Sequence, residues 1–175
     1  MIAATVGGEV VSVAEVDARL AALYDGPLAA RLPHPASPEG RNLRRWLVQL
    51  MTMERVVAQE CDAGGEAVPV ELPVALRTGG VVAAVLATPA GRALFDRVRA
   101  DVPPEEVRGY YDRNRDRHPG RFEDESPRIE ARLVHTRREI LFARWLEARH
   151  REKVTLMPGF EHPGDPRQPD ATHRH

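Results

Sequence analysis

The sequence is poor in cysteine, lysine and aromatic residues, and each shortage excludes something. Cys61 is the only cysteine among 175 residues, so no disulfide can form within the chain. Lys153 is the only lysine, and the net charge is −1, so the chain lacks the strongly basic surface of many nucleic-acid-binding proteins. Aromatic residues make up only 5%, so the core must be built mainly from Leu, Val and Ala.

Long apolar runs are also missing. No segment approaches the ~18–20 consecutive apolar residues that cross a membrane. The first eight residues, Met1 to Gly8, lack the basic and apolar regions of a secretory signal peptide. We therefore expect no membrane partner and a cytoplasmic location.

Glycine, serine and proline divide the chain into short elements. Two apolar runs flank Gly7-Gly8 within residues 2–11, which predicts two brief strands. Residues 154–157 fit a third strand that closes against that pair, since two strands alone are marginal. Apolar periodicity and capping residues predict helices at about 13–24, 41–63, 81–87, 89–100, 103–117 and 126–153.

These elements predict one mainly α domain over residues 1–157, a helical bundle with a small β element. Residues 158–175 differ in character, because they contain four prolines, two glycines and almost no apolar side chains. Such a segment cannot form a core of its own, so it is a separate tail. The three serines, Ser12, Ser37 and Ser126, each precede a predicted helix and are interpreted as helix caps.

Several segments resemble the SurA- and PrsA-type foldases. Ala4 to Ser12 with the following helix resembles their opening, and Arg41 to Gly64 resembles their second helix, which ends at a glycine. Val102 to Tyr111, with its Pro-Pro-Glu-Glu and Tyr-Tyr pairs, resembles the helix that leads into their parvulin domain. The last helix and Val154-Thr155-Leu156 resemble the segment that returns from it. The resemblance implies a helical chaperone cradle that binds extended apolar peptides.

The departure from that family lies between the last two helices. The family carries a parvulin domain there, whereas only about ten residues, His118 to Pro127, separate the helices of this chain. An isomerase active site has no room, so prolyl isomerase activity is not expected.

The tail shows a second resemblance. Phe160 to Asp170 resembles the ending of bacterial proteins linked to natural-product gene clusters, some of which carry an acyl-carrier-protein malonyltransferase label. A serine transacylase needs a Gly-x-Ser-x-Gly nucleophile elbow, and none of the three serines lies in one. That activity is therefore excluded.

The tail also concentrates residues that bind metals. Imidazole and carboxylate groups together suit Zn²⁺, Cu²⁺, Ni²⁺ or non-haem Fe²⁺. Four ligands would make a structural site, and three ligands with an open position would make a catalytic one. The alternatives are a solvated tail and a tail that docks on the body through hydrogen bonds. The candidate ligands are His162, Asp165, Asp170, His173 and His175.

Two functions remain open. The first is a binding module whose cradle, lined by Trp46, Tyr110, Tyr111 and Trp145, holds an apolar peptide, a partner protein or a small molecule. The second is a metal-dependent enzyme of natural-product biosynthesis, in which the tail folds over a pocket in the cradle. No catalytic set lies within the helical body, which favours the binding module. An exposed helical groove would also permit a homodimer.

Overall fold

The computed structural model describes residues 1–61 and 80–170. These residues are mainly helical and include a three-stranded antiparallel sheet of order β2-β1-β3, which confirms the predicted fold class. In chain order the elements are β1 (Ile2–Val6), β2 (Glu9–Ser12), α1 (Val13–Tyr24), a 3₁₀ turn (Ala29–Arg31), α2 (Pro38–Glu60), α3 (Val81–Leu86), α4 (Pro89–Phe95), α5 (Pro104–Arg113), α6 (Phe122–Lys153) and β3 (Val154–Leu156).

The sheet follows the predicted plan. Gly7 and Gly8 join β1 to β2 with φ values of 52° and 92°, which glycine adopts without steric cost. β3 pairs with the other edge of β1, with Ala4 opposite Leu156 and Val6 opposite Val154. The strand predicted near 154–157 is therefore confirmed.

Local capping sets the starts of α1 and α2. The Ser12 hydroxyl accepts a hydrogen bond from the Glu15 backbone N–H (3.1 Å), and the Glu15 carboxylate accepts one from the Ser12 N–H (2.7 Å), a complete capping box. The Ser37 hydroxyl accepts from the Gly40 N–H (3.1 Å), and Pro38 occupies the first turn. The helix thus begins three residues before the predicted start at Arg41.

The predicted start of α6 is wrong, and Ser126 is not its cap. The helix begins at Phe122, so Pro127 lies inside it. Glu123, Asp124 and Glu125 occupy the first turn, where negative charge complements the helix dipole. Phe122 also packs against the Tyr111 ring at 5.3 Å, a tertiary contact that stabilises the additional turn.

Two separate apolar clusters stabilise the described residues. The larger one joins the sheet, α1, α2, α3, α4 and the C-terminal half of α6, and includes Val6, Leu47 and Phe142, each with no exposed surface. The smaller one joins α5 to the N-terminal part of α6 through Tyr111 and Ile129. No helix among the described residues is long and apolar enough to cross a membrane.

Candidate functional site

One face of α2 carries a row of polar side chains, which we call the polar stripe. Its members are Arg41, Arg45, Gln49 and Thr52, spaced three or four residues apart and therefore aligned along one side of the helix. Arg45, Gln49 and Thr52 are only 4%, 5% and 0% exposed. Buried polar groups are costly unless they are hydrogen-bonded, so the partners of this stripe decide what it does.

At one end of the stripe, two arginines hold the carboxylate of Asp170. Arg41 Nε lies 3.0 Å from each carboxylate oxygen, and Arg45 Nη1 donates to Oδ2 at 2.8 Å. Asn42 Nδ2 donates to the backbone carbonyl of Asp170 at 3.0 Å. These guanidinium hydrogen bonds lower the pKa of Asp170 to about 2. We call Arg41, Asn42 and Arg45 the arginine clamp.

The tail therefore docks on α2, at least as far as residue 170. Gln168 is 4% exposed, and its side-chain oxygen accepts from the Asp170 N–H at 2.7 Å. At the other end of the tail, Phe160 is buried in the main cluster with the Arg44 guanidinium 5.0 Å from its ring centre. This arrangement agrees with the docked-tail alternative for residues 158–170.

Between these anchors, three buried polar atoms find no hydrogen-bond partner among the described residues. They are Arg45 Nε, Gln49 Nε2 and Glu161 Oε2. Arg45 Nε and Glu161 Oε2 form an ion pair at 3.9 Å, a distance too long for a hydrogen bond. The tail thus satisfies the clamp and leaves the middle of the polar stripe unsatisfied.

His150, near the C-terminal end of α6, contacts the far end of the stripe. The Thr52 hydroxyl donates to the Gln49 carbonyl (3.0 Å), so it accepts from His150 Nε2 at 2.9 Å. The proton assigned to Nε2 by this network leaves a lone pair on Nδ1. Burial is the main cause that lowers the pKa of His150, and the neighbouring His162 adds to it.

The structure shows how the described metal candidates are engaged. Asp170 is held by the clamp, and Asp165 accepts from the side chain and backbone N–H of Arg167. His162 Nδ1 accepts from the Gly164 N–H at 3.0 Å, and its ring meets Trp46 edge-on at 5.8 Å. Within residues 1–61 and 80–170, no group of three His, Cys, Asp or Glu side chains is placed to hold a metal. His173 and His175 lie outside the described residues, and metal binding stays a prediction.

Among the described residues, the four predicted groove residues lie in three different surroundings, and a groove that they share stays a prediction. Trp46 is 42% exposed beside His162. Trp145 stacks on Phe142 at 5.8 Å and borders a cavity of about 260 Å³. Tyr110 and Tyr111 belong to the smaller cluster, where Tyr111 is 1% exposed and donates to the Gly120 carbonyl at 2.6 Å. Trp46 and Trp145 lie on α2 and on the C-terminal half of α6, which pack in the main cluster, whereas Tyr110 and Tyr111 lie on α5 in the smaller cluster.

Sequence reasoning missed the polar stripe and His150. The apolar periodicity of α2 indicates its core face and makes no prediction for the polar residues between the apolar ones. The missed signal is that Arg41, Arg45, Gln49 and Thr52 also repeat at helical spacing, so the helix has a second, continuous polar face.

Comparison with known proteins adds little here. A family model described as a family of unknown function (DUF7158) matches residues 2–39, which span the β1–β2 hairpin, α1 and the start of α2. The match ends before Arg41 and so does not include the polar stripe. No curated protein and no solved structure matches the chain.

Proposed function

We propose that the protein is a binding module for a carboxylate-bearing ligand, that the polar stripe of α2 is its site, and that its own tail is the resident occupant. The observation that carries this proposal is the arginine clamp around Asp170. Two guanidinium groups and an amide converge on one buried aspartate, and planar guanidinium groups are well suited to recognising carboxylates.

The clamp and its occupant are separable parts. Arg41 and Arg45 belong to a helix that is anchored in the main core, whereas Asp170 is 129 and 125 positions away in sequence. The tail contacts the body mainly near Phe160 and Asp170, and backbone hydrogen bonds from Asp165 to His162 and from Gln168 to Asp165 form the turns between them. Another carboxylate can therefore replace Asp170 without disturbing the packing of α2.

A tethered occupant weakens the affinity that a free ligand displays. A segment linked to its own site competes at an effective concentration of roughly millimolar. The intact chain should therefore bind a carboxylate ligand more weakly than a chain whose tail has been released. This proposal includes no prolyl isomerase activity, because only residues 114–121 connect α5 to α6.

The test uses a fluorescent, C-terminally amidated peptide with the sequence of residues 158–170 and the full-length Asp170→Asn variant. Loss of the tail's charge frees the clamp, so fluorescence anisotropy should show the peptide binding this variant ~10-fold more tightly than the natural chain. Asp165→Asn is the matched control, since Asp165 bonds to Arg167 and not to the clamp. Equal binding to all three proteins, or binding of a peptide whose last Asp is replaced by Asn, would refute the proposal.

A metal-dependent enzyme is the second candidate, and His150 is the observation that favours it. Its Nδ1 carries a lone pair that no described hydrogen bond uses, and Thr52 fixes the ring as an outer partner does for a metal-binding histidine. A metal there would supply an acidified water. Elemental analysis of tag-free protein should then find near-stoichiometric metal that is lost in His150→Ala and in His173→Ala/His175→Ala. Absence of metal after reconstitution with Zn²⁺, Cu²⁺, Ni²⁺ or anaerobic Fe²⁺ would refute it.

A further inference from the structure

The tail occupies the polar stripe incompletely. Arg41, Asn42 and Arg45 Nη1 donate to Asp170, but two donors on side chains more than nine-tenths buried make no hydrogen bond among the described residues: Arg45 Nε, which has only the 3.9 Å ion pair with Glu161, and Gln49 Nε2. Each buried donor without an acceptor carries a desolvation cost. A ligand that places acceptors at these two atoms would form two hydrogen bonds that the tail does not form.

The reason for the shortfall lies in the conformation of the tail. The Asp165 N–H donates to the His162 carbonyl at 2.8 Å, and the Gln168 N–H donates to the Asp165 carbonyl at 3.2 Å. The segment is thus folded into two successive turns that use its own polar groups. An extended chain would direct these groups outward instead.

The stripe has the dimensions of an extended chain. Arg45 and Gln49 are separated by one helical turn, about 6 Å along the axis. Two residues of an extended peptide advance about 6.6 Å, so successive outward carbonyls match this spacing. From Arg41 to Thr52 the helix rises about 16 Å, the length of roughly five extended residues.

The side chains of the stripe beyond the arginine clamp suit neutral groups of a ligand, such as a peptide backbone. Gln49 is uncharged and buried, and burying a second anion there would cost far more than burying a carbonyl. His150, whose Nε2 contacts Thr52 at the end of the stripe, has an acceptor at Nδ1 on the other side of its ring, which suits an N–H donor. A peptide backbone supplies both kinds of group in alternation.

We propose that the ligand is an extended acidic peptide, whose aspartate or glutamate enters the arginine clamp and whose backbone carbonyls accept hydrogen bonds from Arg45 Nε and Gln49 Nε2. The tail is then an incomplete copy of this ligand. The inference rests on the proposed carboxylate-binding function and adds the class of ligand.

The experiment compares two probes on full-length Asp170→Asn protein by calorimetry. N-acetyl-aspartate amide carries the carboxylate with one residue of backbone, and the capped peptide Gly-Gly-Asp-Gly-Gly carries the same carboxylate within five. The pentapeptide should bind ~10-fold or more tightly, since its backbone adds acceptors for Arg45 Nε and Gln49 Nε2. Gln49→Met in this background should reduce that advantage to about 3-fold, because one of the two added hydrogen bonds is lost, and should leave the affinity for the capped aspartate unchanged.

Thermal unfolding separates a ligand-binding glutamine from a structural one. Gln49→Met should leave the Tm of the free protein unchanged or higher, because it removes an unsatisfied donor. Gln59→Met is the matched control on the same helix and should lower the Tm, because Gln59 Nε2 donates to the Val6 carbonyl and to Glu9.

The outcomes distinguish the two proposals. If the capped aspartate binds and requires Arg41 but the pentapeptide binds no better, the peptide inference is overturned and the carboxylate site stands. An unchanged ratio between the probes in Gln49→Met, together with a lower Tm, also overturns the inference. If neither probe binds, both proposals fail.

Discussion

The apolar face of α2 and its polar stripe differ in one respect: the apolar face requires no hydrogen bonds, whereas the polar stripe requires them and lacks some. Leu47, Val48, Leu50 and Val56 face the main cluster and are at most 1% exposed, and they need nothing from their neighbours except contact. Arg45, Gln49 and Thr52 of the polar stripe are also buried, at 4%, 5% and 0% exposed, yet Arg45 and Gln49 each retain a donor without a hydrogen-bond acceptor. Burial alone does not distinguish a core from a site, whereas incomplete hydrogen bonding does.

The largest expected effect lies on the apolar face. Leu47→Ala should lower the free energy of unfolding by about 2–5 kcal/mol, because it leaves a cavity in a fully buried cluster. Urea denaturation measures the change. Leu141→Ala on α6, at a side chain that is 39% exposed, is the comparison and should cost within about 0.5 kcal/mol. Similar costs for the two variants would contradict the assignment of this face to the core.

A smaller loss is expected where the stripe is fully bonded. Thr52→Val keeps the shape of the side chain but removes the hydroxyl between Gln49 and His150. The stranded His150 N–H should cost about 1–3 kcal/mol in the free energy of unfolding. Thr155→Val, at an exposed position of β3, should change little. A neutral Thr52→Val variant would mean that this end of the stripe tolerates apolar replacement.

The clamp can be tested through accessibility of the tail to trypsin. Arg45→Met keeps most of the side-chain volume but removes the guanidinium that holds Asp170 Oδ2. Trypsin should then cleave after Arg167 ~10-fold faster, because a weakened contact of about 1.4 kcal/mol raises the open population by that factor. Arg108→Met, at an exposed residue of α5, should leave the rate unchanged. An unaltered rate in Arg45→Met would show that other contacts hold the tail.

The smallest expected effect is a pH dependence that His150 imposes on stability. Its folded pKa lies below the ordinary value because burial disfavours the charged ring. The neutral ring therefore contributes stability above about pH 6.5, and this contribution is lost as the pH falls towards the folded pKa. Urea midpoints at pH 7.5 and 5.5 should differ less in His150→Gln than in the natural chain, whereas His135→Gln, at a 60% exposed ring, should behave like the natural chain.

The sequence predicts those structural features that depend on residues only a few positions apart in the chain. The capping box of Ser12 with Glu15 and the turn at Gly7-Gly8 involve residues within a few positions of each other, and both are confirmed. Ser126 shows the limit, because α6 starts earlier owing to acidic residues in its first turn and the contact of Phe122 with Tyr111. The hydrogen bonds between Asp170 and Arg41 join positions 129 residues apart, and no local sequence pattern predicts such a pair.

The position of β1 in the middle of the sheet has a consequence for how the chain folds. Its partner β2 is only two residues away, so the hairpin can close within microseconds of its synthesis. Its other partner, β3, comes about 150 residues later and immediately after α6. A growing chain extends by ~5–20 residues each second, so one edge of β1 stays unpaired for roughly 7–30 seconds before β3 is synthesised. Folding of this sheet is therefore a late event, and premature pairing of that open edge with another strand is the hazard it must avoid.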